Sequence, residues 1–371
     1  MQIDRRLAVH FDWPLCILSI GLALAGIMTI YSATCGANDG CSGYFAKKQL
    51  YWLIIGLTVM VAAFSFDYQR IDRWTYPLYM AVVLMLILVA IIGTTSGGSQ
   101  RWLNLQFFAF QPSELAKLMV VILLAKVLQY AESENGYSLT DLWAPFLLTA
   151  PVFALILVQP DLGTAVLIFL VSMTVVVMGG LRMRSLVRLT LVALASLPIV
   201  WQVLKPYQRE RIWTFVNPEF DPLGAGYHVF QSKIAIGSGR LWGKGYLEGS
   251  QNRLEFLPEQ HTDFVFSVFA EEWGFLGCLL LMVGYAGLIL LCLRVVQRAR
   301  DRFGAMLATG MTAIIFWQIA INIGMVTGML PVVGIPLPLA SYGGSSLVTT
   351  MLAIGVLISV SMRSAGARSN V

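Results

Sequence analysis

Asp263 stands where a long polar segment runs into an apolar one, within Phe256–Glu272 (FLPEQHTDFVFSVFAEE), with His261 and Thr262 just before it. A carboxylate at such a boundary is costly unless something neutralises or uses it. Its ordinary pKa of about 3.9 makes it a weak base, and partial burial beside Phe264 and Val265 would raise that value. General-base assistance from such a group is worth roughly 10²–10⁴-fold. The same position also suits an N-cap on the helix that follows. Upstream, Glu114 and Lys117 sit three residues apart, one helical face, in a stretch that opens with Pro112. They read either as a dipole-complementing charge with an i, i+3 partner or as a pair facing a polar cavity. Asp161, in the breaker QPDLG, is either a helix cap or a functional carboxylate.

Cations gather in the polar segment 205–263: Arg209, Arg211, Lys233, Arg240 and Lys244. Such a set could clamp a pyrophosphate or anchor a surface loop to lipid headgroups. Near the C-terminus, GMLPVVGIPLPLASYGGSS (328–346) carries three prolines and the Gly343–Gly344 pair. It reads as a broken, re-entrant loop, with Ser341 and Ser345 as hydrogen-bond donors to a polar headgroup. GRLWGKG (239–245) has the wrong spacing for a P-loop, and there is neither an HExxH nor a GxSxG pattern. His10, His228 and His261 are too scattered for a zinc site. The chemistry therefore calls for an already activated substrate. The cations Arg209, Arg211 and Lys233, or a divalent ion such as Mg²⁺ or Mn²⁺, would stabilise a departing diphosphate.

These groups must be positioned inside a membrane. Of 371 residues 57% are hydrophobic and 12% charged, with mean hydropathy +0.74, against about 25% charged in soluble domains. The expected fold is an all-α polytopic membrane protein with about ten transmembrane helices, near 14–34, 48–66, 75–95, 113–130, 143–158, 162–180, 187–204, 264–293, 305–328 and 345–362. A large extracytoplasmic loop, about 205–263, separates the seventh from the eighth, and residues 1–371 form a single membrane domain. Tyr227–Ile236 is expected as a short interfacial helix with Lys233 on its polar face. Arginines at 5/6, 70/73, 182/184/188, 294–302 and 363/368 place both termini in the cytoplasm. No cleaved signal peptide is expected. Despite a pI near 9.0, the charge distribution points to membrane lipids, not nucleic acid. Cys35 and Cys41 would either pair in an oxidising exterior or remain free thiols; Cys16, Cys278 and Cys292 read as packing.

QPSELAK (111–117), QPDLG (159–163), DPLGAGYHVFQSKIAIGSG (221–239), FLPEQHTDFVF (256–266) and the 328–346 stretch together resemble the SEDS (shape, elongation, division and sporulation) family of bacterial polymerases. GYH (226–228) and GKG (243–245) look more like its elongation branch than its division branch. Arg240 departs from the pattern, where relatives usually carry glycine. The resemblance implies a peptidoglycan glycosyltransferase that polymerises lipid II on the outer face of the bacterial cytoplasmic membrane. It implies Asp263 as the essential acid and a cavity lined by Glu114, Lys117, Asp161, Arg209 and Arg211; on residue type and place alone, Lys233, Lys244, Ser341 and Ser345 are further candidate substrate contacts, with His261 in a supporting role. It also implies a class B penicillin-binding protein, a transpeptidase, as partner, alongside other elongation-machinery proteins. The competing functions are a lipid II flippase, a scaffold without catalysis and the division-type polymerase.

Overall fold

A computed structural model describes residues 11–36, 40–41, 43–96, 99–104, 109–130, 136–204, 206–217, 225–253 and 260–365. The terminal arginines at 5, 6 and 368, the Gly97–Gly98 break, the acidic stretch 131–135 and the motif residues 221–224 and 256–259 lie outside the described residues.

Each of the ten expected spans coincides with a helix: α1 (Trp13–Ala33), α2 (Tyr44–Ser65), α3 (Tyr68–Ile92), α4 (Pro112–Gln129), α5 (Trp143–Val158), α6 (Leu162–Met178), α7 (Met183–Val203) and, after the polar segment with its own α8 (Pro206–Val216), α9 (Ala225–Ser238) and single turn α10 (Ser250–Arg253), α11 (Val265–Arg298), α12 (Arg302–Val326) and α13 (Gly344–Ala365). Seven of them are long and apolar enough to cross a membrane, and the protein is a multi-pass membrane protein. On the other expected spans, α4 carries Glu114, Lys117 and Lys126, α6 has 17 residues, and α7 carries Arg184 and Arg188. Residues such as Ile91, Phe146 and Leu280 point outward although large and apolar. That inversion suits a lipid solvent, where the interior holds the polar groups.

The middle of the bundle is α4, α12 and α13, each largely buried. Gly310 of α12 lies so close to Val121 of α4 that a Cβ would overlap it, the small-residue contact that lets membrane helices approach. α13 packs along α2, and α11 lies against α1 and α12. At the end of the bundle where α4 and α13 finish, Lys126 pairs with Asp72 at 3.4 Å and Arg363 with Asp67 at 3.3 Å.

Short strands interrupt the helical pattern. β1 and β2 (Cys35–Gly36, Gly40–Cys41) pair with Cys35 opposite Cys41, and Cys35 is disulfide-bonded. Cys16, Cys278 and Cys292 are free thiols. β3, β4 and β5 (Thr94–Ser96, Ser99–Asn104, Ala109–Phe110) form a three-stranded antiparallel sheet between α3 and α4. Pairing satisfies backbone groups that neither lipid nor a helix would serve there.

The 327–343 segment between α12 and α13 is irregular, with Gly328 and Gly334 at positive φ. Such backbone survives deep in a membrane protein only if its polar groups find partners. Buried side chains from several elements supply them. Gln49 Nε2 donates to the Ser341 carbonyl (3.0 Å) and its Oε1 accepts from the Gly343 N–H (3.2 Å). The Tyr285 hydroxyl donates to Pro338 (2.8 Å), Asn322 Nδ2 to Ile335 (2.8 Å) and Arg211 to Val332 (3.3 Å).

The polar segment docks on α11. That helix breaks at Gly274 (φ 62°, ψ −163°), which exposes backbone groups on either side. Residues 240–245 fill the break: Lys244 and Gly245 N–H groups donate to the Glu271 and Glu272 carbonyls (both 3.0 Å), while Phe275 and Leu276 N–H groups donate to Arg240 (2.8 Å) and Leu241 (3.2 Å). A Cβ on Gly243 would stand 2.0 Å from the Glu272 carbonyl oxygen, so only glycine fits.

Candidate active site

A cavity of about 610 Å³ lies where α4, α6, α11 and α13 begin, beside the irregular segment. Of the residues singled out in the sequence, Asp263, Glu114, Lys117, Arg211 and Ser345 line it. Among the described residues, Lys48, Arg101, Lys117 and Arg211 set four cations on its wall against the two carboxylates of Glu114 and Asp263.

Asp263 sits in the turn that enters α11 and is half-buried. The capping position of that helix is Phe264, which makes no side-chain cap hydrogen bond, so Asp263 is not its N-cap residue. Its carbonyl accepts from Asn322 Nδ2 at 2.9 Å. On the other side, a Cβ added to Gly334 would come within 3.3 Å of the Asp263 Oδ2. The carboxylate is thus wedged between a helix entry and the irregular segment.

Glu114 and Lys117 form a 2.7 Å ion pair, both side chains almost wholly buried, and Glu114 Oε2 accepts from the Thr349 hydroxyl at 2.9 Å. The pair stands in the cavity wall, and Glu114 also lies in the first turn of α4 with Lys117 as its i, i+3 partner, so the two readings coexist. Asp161 has the cap role considered for it and does not itself line the cavity. It caps α6 by accepting from the Thr164 N–H (3.1 Å) and hydroxyl (2.8 Å), and it holds Arg101 at 3.5 Å. Asp161 is therefore one step behind the wall, presenting Thr164 and Arg101 to the cavity.

Other expected residues lie elsewhere. Lys244 is bound to Glu271 at 2.5 Å in the docked segment. Arg209 stacks over Trp201 (6.0 Å) and donates to the Gln202 carbonyl at 2.7 Å. Lys233, on α9, lines a small adjoining hollow together with Arg211 and Val332; α9 packs on α11 through buried Ser232 and Ala235. The Ser341 hydroxyl accepts from the Leu337 N–H (2.9 Å) and shapes the irregular segment. His261 packs its ring between Phe45 (4.6 Å) and Tyr342 (5.6 Å), and its carbonyl accepts from the Tyr342 N–H at 2.9 Å. It supports the turn that carries Asp263.

The electrostatics follow from this layout. The N-termini of α4, α6, α11 and α13 bring partial positive charge to the same space, and at α13 Gly343–Ser346 form part of the wall. Burial raises the Tyr342 phenol pKa, so this wall residue meets the cavity as a neutral hydroxyl. The space therefore suits an anion held near a carboxylate that can accept a proton. Its volume falls within the roughly 300–1,000 Å³ of ligand pockets, room for a sugar diphosphate rather than a whole lipid-linked glycopeptide. Among the described residues no group of three or more His, Cys, Asp or Glu side chains converges to hold a metal ion.

Sequence reasoning passed over Lys48, His228, Gln318 and Asn322. Lys48 lies at the start of a span, a place usually read as an interfacial anchor. His228 lines the cavity and stacks on Phe264 (6.1 Å); its place in the GYH motif was the available signal. Gln318 lines the cavity with Oε1 buried and without a hydrogen-bond partner. Gln318 and Asn322 are amides within an apolar helix, the one trace they leave in the sequence.

The chain is similar to known proteins along nearly its whole length. A model of the FtsW/RodA/SpoVE family, described as cell cycle proteins, matches residues 13–366. The chain is 40% identical over 358 residues to the peptidoglycan glycosyltransferase MrdB of Escherichia coli K12, covering 95% of this chain and 94% of that one. It is 31% identical to the peptidoglycan glycosyltransferase RodA of Treponema pallidum, covering 95% and 98%. Among solved structures, a chain of a peptidoglycan synthase complex that coordinates polymerisation and crosslinking superposes with TM-score 0.80 at 34% identity, covering 95% and 97%. Rod shape determining protein RodA of Thermus thermophilus gives 0.70 at 30%, covering 95% and 96%. With a matched segment that runs nearly end to end, the chain belongs to the FtsW/RodA/SpoVE family, the SEDS proteins.

Proposed function

We propose that this protein is an elongation-type peptidoglycan glycosyltransferase that polymerises lipid II, with Asp263 as general base. The observation that carries the reading is the Asp263 carboxylate on the wall of a cavity that also holds four cations and the start of α13. The C4 hydroxyl of the acceptor GlcNAc attacks the anomeric carbon of the donor MurNAc. Its proton passes to Asp263, the new C–O bond forms on the face opposite the leaving group, and the bond to the polyprenyl diphosphate breaks with its electron pair. Lys48, Arg101, Lys117 and Arg211 and the helix N-termini stabilise the charge on the departing diphosphate. Positioning of the two sugars supplies much of the remaining acceleration.

Residues 1–371 act as one membrane domain in the bacterial cytoplasmic membrane, termini inside and cavity toward the outer side. The arginine collars and the placement of the cavity at the starts of α4, α6, α11 and α13 support that orientation. The solved synthase complex supports a class B penicillin-binding protein as partner, coupling strand synthesis to crosslinking.

The deciding experiment is polymerisation of purified lipid II by the chain with its transpeptidase partner, wild type against Asp263→Asn. The variant is expected to fold, retain its partner and lose activity by about 10²–10⁴-fold. Wild-type polymer yield from Asp263→Asn overturns the general-base role and moves the flippase reading ahead.

A further inference from the structure

We infer that Asn322 is a positioning residue that holds Asp263 in register with the irregular segment; the inference rests on the general-base reading of Asp263. Asn322 lies on α12, 59 residues along the chain from Asp263 and outside its sequence motif, and it is completely buried. Its single amide nitrogen donates twice, to the carbonyl of Asp263 at 2.9 Å and to the carbonyl of Ile335 at 2.8 Å. One side chain thereby ties the turn that carries the carboxylate to the segment that closes over it. The residue next to Ile335 is Gly334, at φ +70°, the position from which a Cβ would reach to 3.3 Å of Asp263 Oδ2. The clasp therefore sets the gap between the carboxylate and the wall facing it.

The other ends of both strands of chain are tied as well. The Tyr342 N–H donates to the His261 carbonyl at 2.9 Å, so the turn and the segment are also pinned two residues before Asp263. Asn322 is the pin at Asp263 itself. Its Oδ1 is buried without a hydrogen-bond partner, a standing cost that packing alone does not explain. A leucine would fill the same volume without it. What an amide offers here, and leucine does not, is two N–H bonds aimed at two backbone acceptors. A base that must meet a hydroxyl within hydrogen-bond reach depends on such placement, since a shift of about 1 Å costs on the order of 10²-fold in rate.

The test uses the full chain with its transpeptidase partner and purified lipid II, comparing wild type, Asn322→Leu, Asn322→Ser and Asp263→Asn. Asn322→Leu is expected to lower kcat about 10²-fold with KM for lipid II unchanged, and Asn322→Ser, which keeps one donor, to fall in between. If the leucine variant does not fold, the serine variant decides by the same split. Wild-type kcat in the variant that folds overturns the inference. So does a loss shared equally between KM and thermal stability, which is the signature of packing. An inactive Asp263→Asn beside a fully active Asn322→Leu removes the clasp alone and leaves the general base standing. An active Asp263→Asn removes the general base, and the clasp with it.

Discussion

Glu114–Lys117 and Glu271–Lys244 are the same chemical pair in opposite settings. Their contacts are 2.7 and 2.5 Å, and both carboxylates are shut away from solvent. Glu114 and Lys117 sit on one turn of α4 and form part of a cavity wall. Glu271 lies on α11 and takes Lys244 from a segment 27 residues away in the chain. Its Oε1 also accepts from the Ser250 hydroxyl and the Gln251 N–H, both at 3.1 Å, while Oε2 is buried with no partner. Charge type and burial do not separate a pair in a cavity wall from one closed inside the fold. Proximity to open volume does: the first pair borders the cavity, and the second is closed over by the docked segment at the Gly274 break.

That contrast can be broken by removing the lysine from each side. Lys244→Met leaves Glu271 buried without its counter-charge and is expected to destabilise the protein by about 3–5 kcal/mol, read as a fall in melting temperature in detergent. Adding Glu271→Gln to it restores most of the loss, because the amide oxygen still accepts from Ser250 and Gln251. Polymerisation per folded molecule follows wild type in both. Lys117→Met has the opposite profile, with polymerisation down by about 10²-fold, close to 3 kcal/mol, and a smaller change in melting, since Thr349 and the cavity still serve Glu114. A Lys117→Met chain that polymerises normally would dissolve the distinction.

Smaller changes sharpen the structural half of the comparison. Gly243→Ala forces a Cβ onto the Glu272 carbonyl at a φ of +81° and should cost roughly 2 kcal/mol, with the docked segment becoming sensitive to limited proteolysis. Arg240 occupies a left-handed position, φ +50°, which glycine adopts without the steric cost of a Cβ. Arg240→Gly is expected to stabilise by about 1 kcal/mol, seen as a slightly higher melting temperature.

Much of the fold was legible in the residues. The helices coincide with runs whose length matches a bilayer, because each must satisfy its own backbone in lipid and so declares itself locally. Pro112, Asp161 and the Gly/Pro-rich 328–346 stretch marked helix starts and the break between α12 and α13 for equally local reasons. Less of the site was legible. Asp263 was found because a carboxylate at an apolar boundary is conspicuous, whereas Asn322 and Gln318 are quiet amides whose meaning depends on what they face. Lys244 resembled Arg211 as a loop cation until the docking of its segment gave it a private partner.

The sequence by itself determined the class of the protein, its helical segments and the boundary carboxylate proposed as general base, since hydropathy and helix-start signals act over a few residues. Only the tertiary structure decided which charges share the cavity. Arg101 reaching Asp161, Thr349 reaching Glu114 and Lys244 reaching Glu271 are contacts between residues far apart in the chain. Such pairings are set by how helices pack and where loops dock, and no local pattern records them.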